Sequence, residues 1–365
     1  MGQPELALIA ARAELRDSET YGVPAALDKI AHKFYYGSLR ASESSGREQM
    51  LARREGNINE PTYHEVEAKS ALNRTRGMPL AWSLNPYRGC RHACHYCFAR
   101  ASHAYFDLHP GKDFARHIFV KTNMAEVLRR ELSRRSWRRE DVSVGTATDP
   151  YQPAEGRYKV TRSCLTALAE ARTPASITTK GSLIVRDIDL LRAVRDRAGS
   201  CSVSMSLTSL DAALLRRLEP GVASPRQRLN AIRRLADHGI RVGLALAPIL
   251  PGITDSPASL ADLVRAAADH GAAFVWTGTV HLEPVVRDWL FEALTPTFPE
   301  AMVSYRRWFG APGKQARARY SPRSIDRRIT QLVSAVGADC GLPLPQPGLR
   351  LAAIAQASEQ LPLNI

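Results

Sequence analysis

The chain has 365 residues, enough to bury one large core or two modest ones, and 44% of them are hydrophobic, as in an ordinary globular protein. Lysine and arginine number 50 against 36 acidic residues, which gives a net charge of +14. This charge favours a polyanionic partner, although an arginine-rich composition by itself also raises solubility. No apolar run reaches the length of a membrane span, and six cysteines in so long a chain do not make a disulfide framework. We therefore expect a cytoplasmic protein without a membrane partner.

A polar stretch opens the chain, and a repeating pattern of strands and helices follows it. Residues 1–75 are mixed in charge, and we predict an N-terminal extension with one or two short helices. From residue 76 to residue 284, short apolar runs alternate with amphipathic stretches. The predicted strands are 82–85, 142–148, 176–180, 202–207, 241–247 and 273–279. The predicted helices between them are 124–135, 162–171, 188–197, 225–238 and 259–270.

The order of these elements predicts an α/β topology. Six strand–helix units in succession indicate a parallel sheet with right-handed crossovers and helices outside. A partial (β/α)6 barrel and an open, doubly wound sheet both satisfy this order. In barrels the functional loops follow the C-terminal ends of the strands. Residues 285–365 are less regular, and we predict a mainly helical segment with a basic loop and with helices at 285–294, 300–308 and 324–336.

Three cysteines follow the first predicted strand in the run NPYRGCRHACHYCFAR: Cys90, Cys94 and Cys97. Three thiolates on one short loop can hold three irons of a [4Fe–4S] cube and leave the fourth iron for a small molecule. The alternative is a structural zinc site with His92 or His95 as the fourth ligand. Zinc sites usually have two paired groups of ligands, whereas the remaining cysteines here are isolated in sequence. The spacing therefore favours the cluster.

This C-x3-C-x2-C spacing, with an aromatic residue before the last cysteine, resembles the radical S-adenosylmethionine (SAM) superfamily. The stretches GTATDPYQPAEG, SITTKG, SVSMSL and LAPILPGITD resemble the branch of spore photoproduct lyase, and TATDPYQPAEGRY resembles an uncharacterised subgroup of that branch. The resemblance implies a partial (β/α)6 barrel with a [4Fe–4S] cluster and SAM as cofactors. It also implies cleavage of SAM to a 5′-deoxyadenosyl radical, with electrons from a donor of the flavodoxin or ferredoxin type.

The resemblance implies SAM contacts on the first two strand ends. Tyr96, between two of the cysteines, would pack near the adenine, or it would simply cover the cluster. Thr146, Thr148 and Asp149 end the second predicted strand, where relatives receive the SAM amino group. Asp149 could accept a hydrogen bond from that ammonium, and the plainer alternative is a turn residue before a proline.

Further SAM contacts are implied on the third and fourth strands. Thr179 and Lys180 close the third strand, and an ammonium group there suits the SAM carboxylate. Ser204 and Ser206 alternate with apolar residues in the fourth strand, so both hydroxyls should face the same side. In a barrel that side is the interior, where they could bind the ribose or the methionine carboxylate.

The sequence departs from the lyase at the hydrogen donor. Spore photoproduct lyase carries a cysteine beside the second-strand motif that returns a hydrogen atom to the product radical, and Ala147 stands at that place here. Cys164, at the start of the next helix, could substitute, although a buried structural thiol is the plainer interpretation. Tyr151 and Tyr158 are the other catalytic candidates as radical relays.

We therefore expect a radical SAM enzyme that abstracts hydrogen from its substrate. Charge and resemblance favour nucleic acid, in DNA lesion repair or in modification of a base extruded from the stack. The basic stretches 129–139 and 306–328 are candidate contacts, and aromatic residues accompany the arginines in the second. The alternatives are an enzyme that acts on a peptide or small metabolite and a non-catalytic, redox-sensing nucleic-acid binder that keeps the cluster.

Overall fold

The computed structural model describes residues 60–75 and 80–343. Most of the predicted N-terminal extension and the last residues of the C-terminal segment lie outside these ranges. The described strands are β1 Thr62–Val66, β2 Leu72–Arg74, β3 Trp82–Leu84, β4 Tyr87–Arg88, β5 His117–Lys121, β6 Val142–Val144, β7 Ala175–Thr179, β8 Cys201–Ser206, β9 Arg241–Ile249 and β10 Val275–Thr279.

The described α-helices alternate with these strands and then continue alone at the C-terminal end. They are α1 Met124–Leu132, α2 Pro153–Tyr158, α3 Val160–Glu170, α4 Ile188–Ala198, α5 Ala212–Leu218, α6 Pro225–Asp237, α7 Pro257–Asp269, α8 Pro284–Leu294, α9 Pro299–Phe309 and α10 Arg323–Asp339. Two 3-10 helices cover Phe98–Phe106 and Ser182–Asp187. None of the described helices is both long and apolar enough to span a membrane.

The main sheet has seven strands in the order β10-β9-β8-β7-β6-β3-β2. Six of them are parallel, and β2 runs antiparallel to β3 at one edge. The parallel strands follow one another in chain order without the reversal of a doubly wound sheet, and no ladder among the described residues joins β10 to β2. This confirms the predicted partial (β/α)6 barrel, open on one side, with a helical C-terminal region.

A second, three-stranded sheet was not predicted. In it β1 pairs in parallel with β5, and β4 pairs antiparallel with β5. Residues 60–75 lie in the predicted N-terminal extension, for which no strand was predicted, and they contain β1 and β2. The sequence signals for the strands of this sheet were weak, because β4 has only two residues and β1, TYHEV, has no continuous apolar run.

The two faces of the main sheet differ in the size of their side chains. The odd-numbered side chains of β8 are buried in the apolar core with residues of the flanking helices. Ser204 and Ser206 alternate with them and face inwards, as predicted, and the register places Gly243 and Ala245 of β9 beside them. Trp276 of β10 pairs with Ala245 and is the large inner side chain at this level. Small residues therefore leave space inside the sheet.

The C-terminal helices place the basic loop beside the main sheet. Residues 310–322 connect α9 to α10, and α10 packs against β10. His281, just after β10, forms an antiparallel bridge with Tyr320 of this loop. The backbone N–H of Leu282 donates to the carbonyl of Arg319 over 2.8 Å. The loop is therefore attached near the C-terminal end of the last parallel strand.

Candidate cofactor site

The cysteine loop leaves β4 and enters the 3-10 helix that starts at Phe98. Cys90 and Cys94 are each 6% exposed, Cys97 is half-buried, and all three are free thiols. The loop begins at Gly89, whose φ is +77° and whose missing Cβ would lie 2.6 Å from the carbonyl oxygen of His117. Only glycine fits such a backbone without strain, so this residue allows the loop to start against β5.

Arg100 fixes the shape of the cysteine loop from behind. Its Nε donates to the carbonyl of Cys94 over 2.7 Å, and its Nη2 donates to the carbonyl of Ala93 over 2.7 Å. Its Nη1 donates to the carbonyls of Gly111 over 2.7 Å and Pro110 over 3.1 Å. One guanidinium group therefore satisfies four buried carbonyls on two segments of chain.

The loop after β6 packs directly on the cysteine loop. The hydroxyl of Thr148 and the Nε2 of Gln152 both donate to the carbonyl of Gly89, over 2.8 Å and 3.0 Å. The Oε1 of Gln152 accepts a hydrogen bond from the N–H of Arg91 over 3.0 Å. Thr148, predicted as a SAM contact, therefore holds the cysteine loop through its side chain. Gln152 was missed because nothing in the sequence distinguishes a buried glutamine from an exposed one.

The other polar residue of this strand end, Thr146, contacts the first parallel strand. Its hydroxyl oxygen accepts a hydrogen bond from the Nδ2 of Asn85 over 3.0 Å. The Oδ1 of Asn85 accepts from the N–H of Ala147 over 2.7 Å. Thr146 thus lies at the C-terminal edge of the sheet, as expected, with its side chain bonded to the neighbouring strand end.

Asp149 joins the cysteine loop to the end of β7. Its carboxylate accepts hydrogen bonds from the Thr179 hydroxyl over 2.6 Å and the Lys180 N–H over 2.7 Å, and the Nδ1 of His92 lies 3.2 Å away. Burial alone would raise the pKa of Asp149, but His92 and these hydrogen bonds outweigh it and hold the pKa at about 2. The structure thus brings three predicted residues together around an ionised carboxylate.

A second buried carboxylate, that of Glu219, also contacts the cysteine loop. The hydroxyl of Tyr96 donates to Oε1 of Glu219, and Nη2 of Arg228 donates to Oε2 over 2.5 Å. The Nζ of Lys180 lies 5.8 Å from the centre of the Tyr96 ring. Burial would raise the pKa of Glu219, yet the positive charges of Arg228 and Lys180 hold it below its usual value. Sequence analysis missed Glu219 and Arg228, since no local pattern marks a buried ion pair.

The chain around Glu219 holds the cysteine loop in place through backbone contacts. The N–H of His95 donates to the carbonyl of Leu218, and the N–H of Gly221 donates to the carbonyl of His92, each over 3.0 Å. A Cβ on Gly221 would lie 2.2 Å from the carbonyl oxygen of Arg91, so the two backbones are in direct contact. The segment between α5 and α6 therefore positions the loop that carries the cysteines.

The predicted serines of β8 face the inside of the sheet but already have partners. The Oγ of Ser204 accepts a hydrogen bond from the indole Nε1 of Trp276 over 3.2 Å. The hydroxyl of Ser206 donates to the carbonyl of Ala247 over 2.8 Å. Ser204 is half-buried and Ser206 is buried, so Ser204 is the better placed of the two to meet a bound molecule. Trp276 is an inner-face residue that sequence analysis did not single out.

Tyr151, one of the three catalytic candidates, joins this site through its backbone N–H, which donates to Oδ1 of Asp149 over 2.9 Å. Cys164 is fully buried on α3, and burial and then Glu155 raise its pKa. Tyr151 is buried, and its pKa is raised by burial and by Asp187. The hydroxyl of Tyr158 donates to Glu65 of β1 over 3.1 Å. The hydrogen-donor role of Cys164 and the radical-relay roles of Tyr151 and Tyr158 stay predictions.

The donor set of the loop suits an iron–sulfur cluster. Burial, then Asp149 and the other two thiols, raise the pKa of Cys90, so thiolates here need a cationic partner. Within residues 60–75 and 80–343, no three His, Cys, Asp or Glu side chains converge where a single metal ion could bind. In a cluster each thiolate binds a different iron and need not converge with the others. Three free thiols on one short loop, two of them buried, therefore fit a cluster that takes one thiolate per iron.

Comparison with known sequences gives a family match and several relatives. The sequence model described as the Radical SAM superfamily matches residues 84–264. An uncharacterised protein of Mycobacterium tuberculosis (strain H37Rv) is 41% identical over 276 residues, which cover 75% of this chain and 79% of the relative. An uncharacterised protein of Methanocaldococcus jannaschii is 27% identical over 191 residues, which cover 52% of this chain and 69% of the relative.

Solved structures share the fold. Spore photoproduct lyase complexed with dinucleoside spore photoproduct has a TM-score of 0.58 at 14% identity, over 78% of this chain and 81% of that chain. A mutant of the lyase with bound AdoMet and dinucleoside spore photoproduct has a TM-score of 0.56 at 14% identity, over 77% and 80% of the two chains. At such low identity the likeness shows a common fold.

Proposed function

Since this chain belongs to the radical SAM superfamily and is an enzyme of that class, we propose that it abstracts hydrogen from a nucleic-acid substrate. Cys90, Cys94 and Cys97 would hold a [4Fe–4S] cluster, and SAM would bind beside it. The observation that carries this proposal is the pair of charged groups at the cysteine loop, the carboxylate of Asp149 and the ammonium group of Lys180.

These charged groups match the two ends of an amino acid. The ionised carboxylate of Asp149 is suited to an ammonium group, and the Nζ of Lys180 is suited to a carboxylate. Burial would lower the pKa of Lys180, but Cys94 and Glu219 outweigh it and raise the pKa, so the lysine is cationic. Tyr96 is 3% exposed, and as the resemblance implies it would cover the cluster or pack near the adenine. When bound, the cluster and SAM would supply a 5′-deoxyadenosyl radical by one-electron cleavage.

The basic loop supports nucleic acid as the substrate class. Tyr320 is 66% exposed, and its ring stacks on His281 with centroids 4.6 Å apart and planes at 18°. Lys314 and Arg317 are exposed in the same loop. Aromatic faces stack with bases, and cationic side chains neutralise phosphates. The loop is attached just after β10, at the sheet end where the cysteine loop also lies.

The likeness to spore photoproduct lyase points in the same direction. That protein was solved with a dinucleoside lesion and with AdoMet. By the sequence resemblance, Ala147 stands where the lyase has its hydrogen-donating cysteine, so we propose a related hydrogen abstraction with a different return of the hydrogen. Base modification and lesion repair both require a base taken out of its stack.

Anaerobic reconstitution tests the proposal. The wild-type protein should take up iron and sulfide, turn brown, and form 5′-deoxyadenosine from SAM in the presence of dithionite. Cys94→Ala should lose both the colour and the product. A protein that holds only zinc and forms no 5′-deoxyadenosine would contradict the enzyme proposal. Retention on a single-stranded DNA column, with a steep dependence on salt, tests the substrate class separately.

A further inference from the structure

Three arginines are among the largest fully buried side chains of the described residues, and one differs from the other two. Arg100, Arg228 and Arg287 are each 1–2% exposed. Arg228 is paired with Glu219 at 2.5 Å, and Arg287 is paired with Asp288 at 2.8 Å. Arg100 has no carboxylate within ion-pair distance among the described residues. Of the three buried arginines, Arg100 is therefore the one whose charge has no carboxylate partner among the described residues.

Every hydrogen bond of Arg100 ends on a neutral group. Its partners are the carbonyl oxygens of Ala93, Cys94, Pro110 and Gly111. The rings of Phe114 and Trp289 lie 5.1 Å and 5.2 Å from its Cζ. Carbonyls and aromatic faces stabilise a guanidinium group by partial charges, but they do not cancel its net charge. A buried charge without an opposite charge is strongly unfavourable.

The groups that can supply the opposite charge are the three cysteines. Ala93 and Cys94, whose carbonyls accept hydrogen bonds from Arg100, lie in the short run that carries Cys90, Cys94 and Cys97. Arg100 also lies only three residues after Cys97 and bonds the backbone of Cys94. A thiolate-ligated cluster carries a net negative charge, and reduction by one electron increases that charge. The net charge around a cluster is one of the factors that set its potential.

We propose that Arg100 is the counter-charge of the cluster and raises its reduction potential. This inference rests on the cluster of the proposed function and assigns to Arg100 no contact with substrate. The guanidinium group favours the reduced form, because it compensates the electron that arrives from the donor. It acts through the cluster, and the carbonyl bonds hold it at the required place.

A redox titration of the reconstituted proteins, followed by EPR of the reduced cluster, tests this role. Arg100→Gln should lower the ratio of reduced to oxidised cluster at a fixed potential about tenfold, which is about 59 mV for a one-electron couple. Arg100→Lys keeps the charge, so its ratio of reduced to oxidised cluster at the same potential should stay within about threefold of the wild-type ratio. This change is smaller than the tenfold change expected for Arg100→Gln, which corresponds to about 59 mV. Arg287→Gln, which removes a buried arginine that has its own carboxylate, is the matched control and should leave the potential unchanged.

A second pair of variants keeps Arg100 and all its hydrogen bonds. Trp289→Glu places a carboxylate beside the guanidinium group, and Trp289→Gln is the neutral counterpart. We expect the glutamate variant to have the lower potential. Arg100→Gln with full iron and the wild-type potential would overturn the inference, and so would equal potentials for the two Trp289 variants. Wild-type protein that takes up no iron would instead contradict the proposed function.

Discussion

The hydroxyl of Tyr96 donates a hydrogen bond to Glu219, a residue 123 positions further along the chain. Tyr96 lies between two of the three cysteines, and Glu219 lies in the segment between α5 and α6. Arg228 shares the same carboxylate, so one buried anion orders an aromatic ring and balances a buried cation. The arrangement of the cysteine loop therefore depends on the segment between α5 and α6.

Glu219→Gln tests this dependence. The variant leaves Arg228 buried without a counter-charge, so we expect the free energy of unfolding to fall by about 3–5 kcal/mol. Urea denaturation of the cluster-free protein measures this change. The double variant Glu219→Gln with Arg228→Met removes both charges and should recover part of the loss. If Glu219→Gln is as stable as the wild type, the ion pair of Glu219 and Arg228 does not stabilise the fold.

Tyr320→Ala tests the exposed ring of the basic loop. Loss of one stacked base should weaken binding of a short single-stranded oligonucleotide by about 1–3 kcal/mol, and Tyr320→Phe should retain most of the affinity. Fluorescence anisotropy at constant salt measures both. Val303 on α9 is 64% exposed, close to the exposure of Tyr320, so Val303→Ala is the matched surface control. Equal affinities for all four proteins would remove the support that Tyr320 gives to a nucleic-acid substrate.

The two basic stretches can be distinguished by their salt dependence. Replacing Lys314 and Arg317 by glutamine should reduce the slope of log K against log salt by about 0.7 for each phosphate that the protein no longer neutralises. Arg134 and Arg135, exposed after α1, belong to the other stretch, and the corresponding double variant should keep the slope of the wild type. The opposite pattern would place the nucleic acid near α1 and not at the basic loop.

His103 predicts a pH dependence of stability. The side chain is fully buried, and burial lowers its pKa to about 4 from 6.5. Between these values the unfolded chain binds the proton and the folded chain does not, so stability is fully present above pH 6.5 and is lost as the pH falls towards 4. The full effect is about 3 kcal/mol.

Comparison of wild type with His103→Gln isolates this group from the other histidines. Urea denaturation of the cluster-free proteins at about pH 7.5 and about pH 5 gives the two stabilities for each. We expect the wild type to lose more stability on acidification than the variant does. If the two proteins lose the same stability on acidification, His103 does not titrate as described.

The parallel strands were predictable because each is a short apolar run with a helix after it. The second strand ends at Val144 instead of residue 148, since Gly145 has a φ of +91° and turns the chain into the Asp149 loop. The fifth strand extends to Ile249, past the predicted end. Local composition decides such elements, and tertiary contacts decide where they stop.

The rest of the site could not be predicted, because its contacts join distant segments. Asp149, Thr179 and Lys180 were found from the motifs that contain them, but their mutual hydrogen bonds were not. Glu219 follows Arg216 and Arg217, and Arg228 follows Arg226, so in sequence both resemble the charged surface of a solvated helix. Only the folded chain shows that these two side chains are buried against Tyr96.

The missing ladder between β10 and β2 bears on the length of a substrate. A closed barrel admits a polymer only by one end of the polymer, whereas a barrel that is open on one side also admits an internal segment of the strand. For the nucleic-acid substrate proposed above, an internal nucleotide should then reach the cysteine loop as readily as a terminal one, and Tyr320, bridged to His281 just after β10, lies at one flank of this opening.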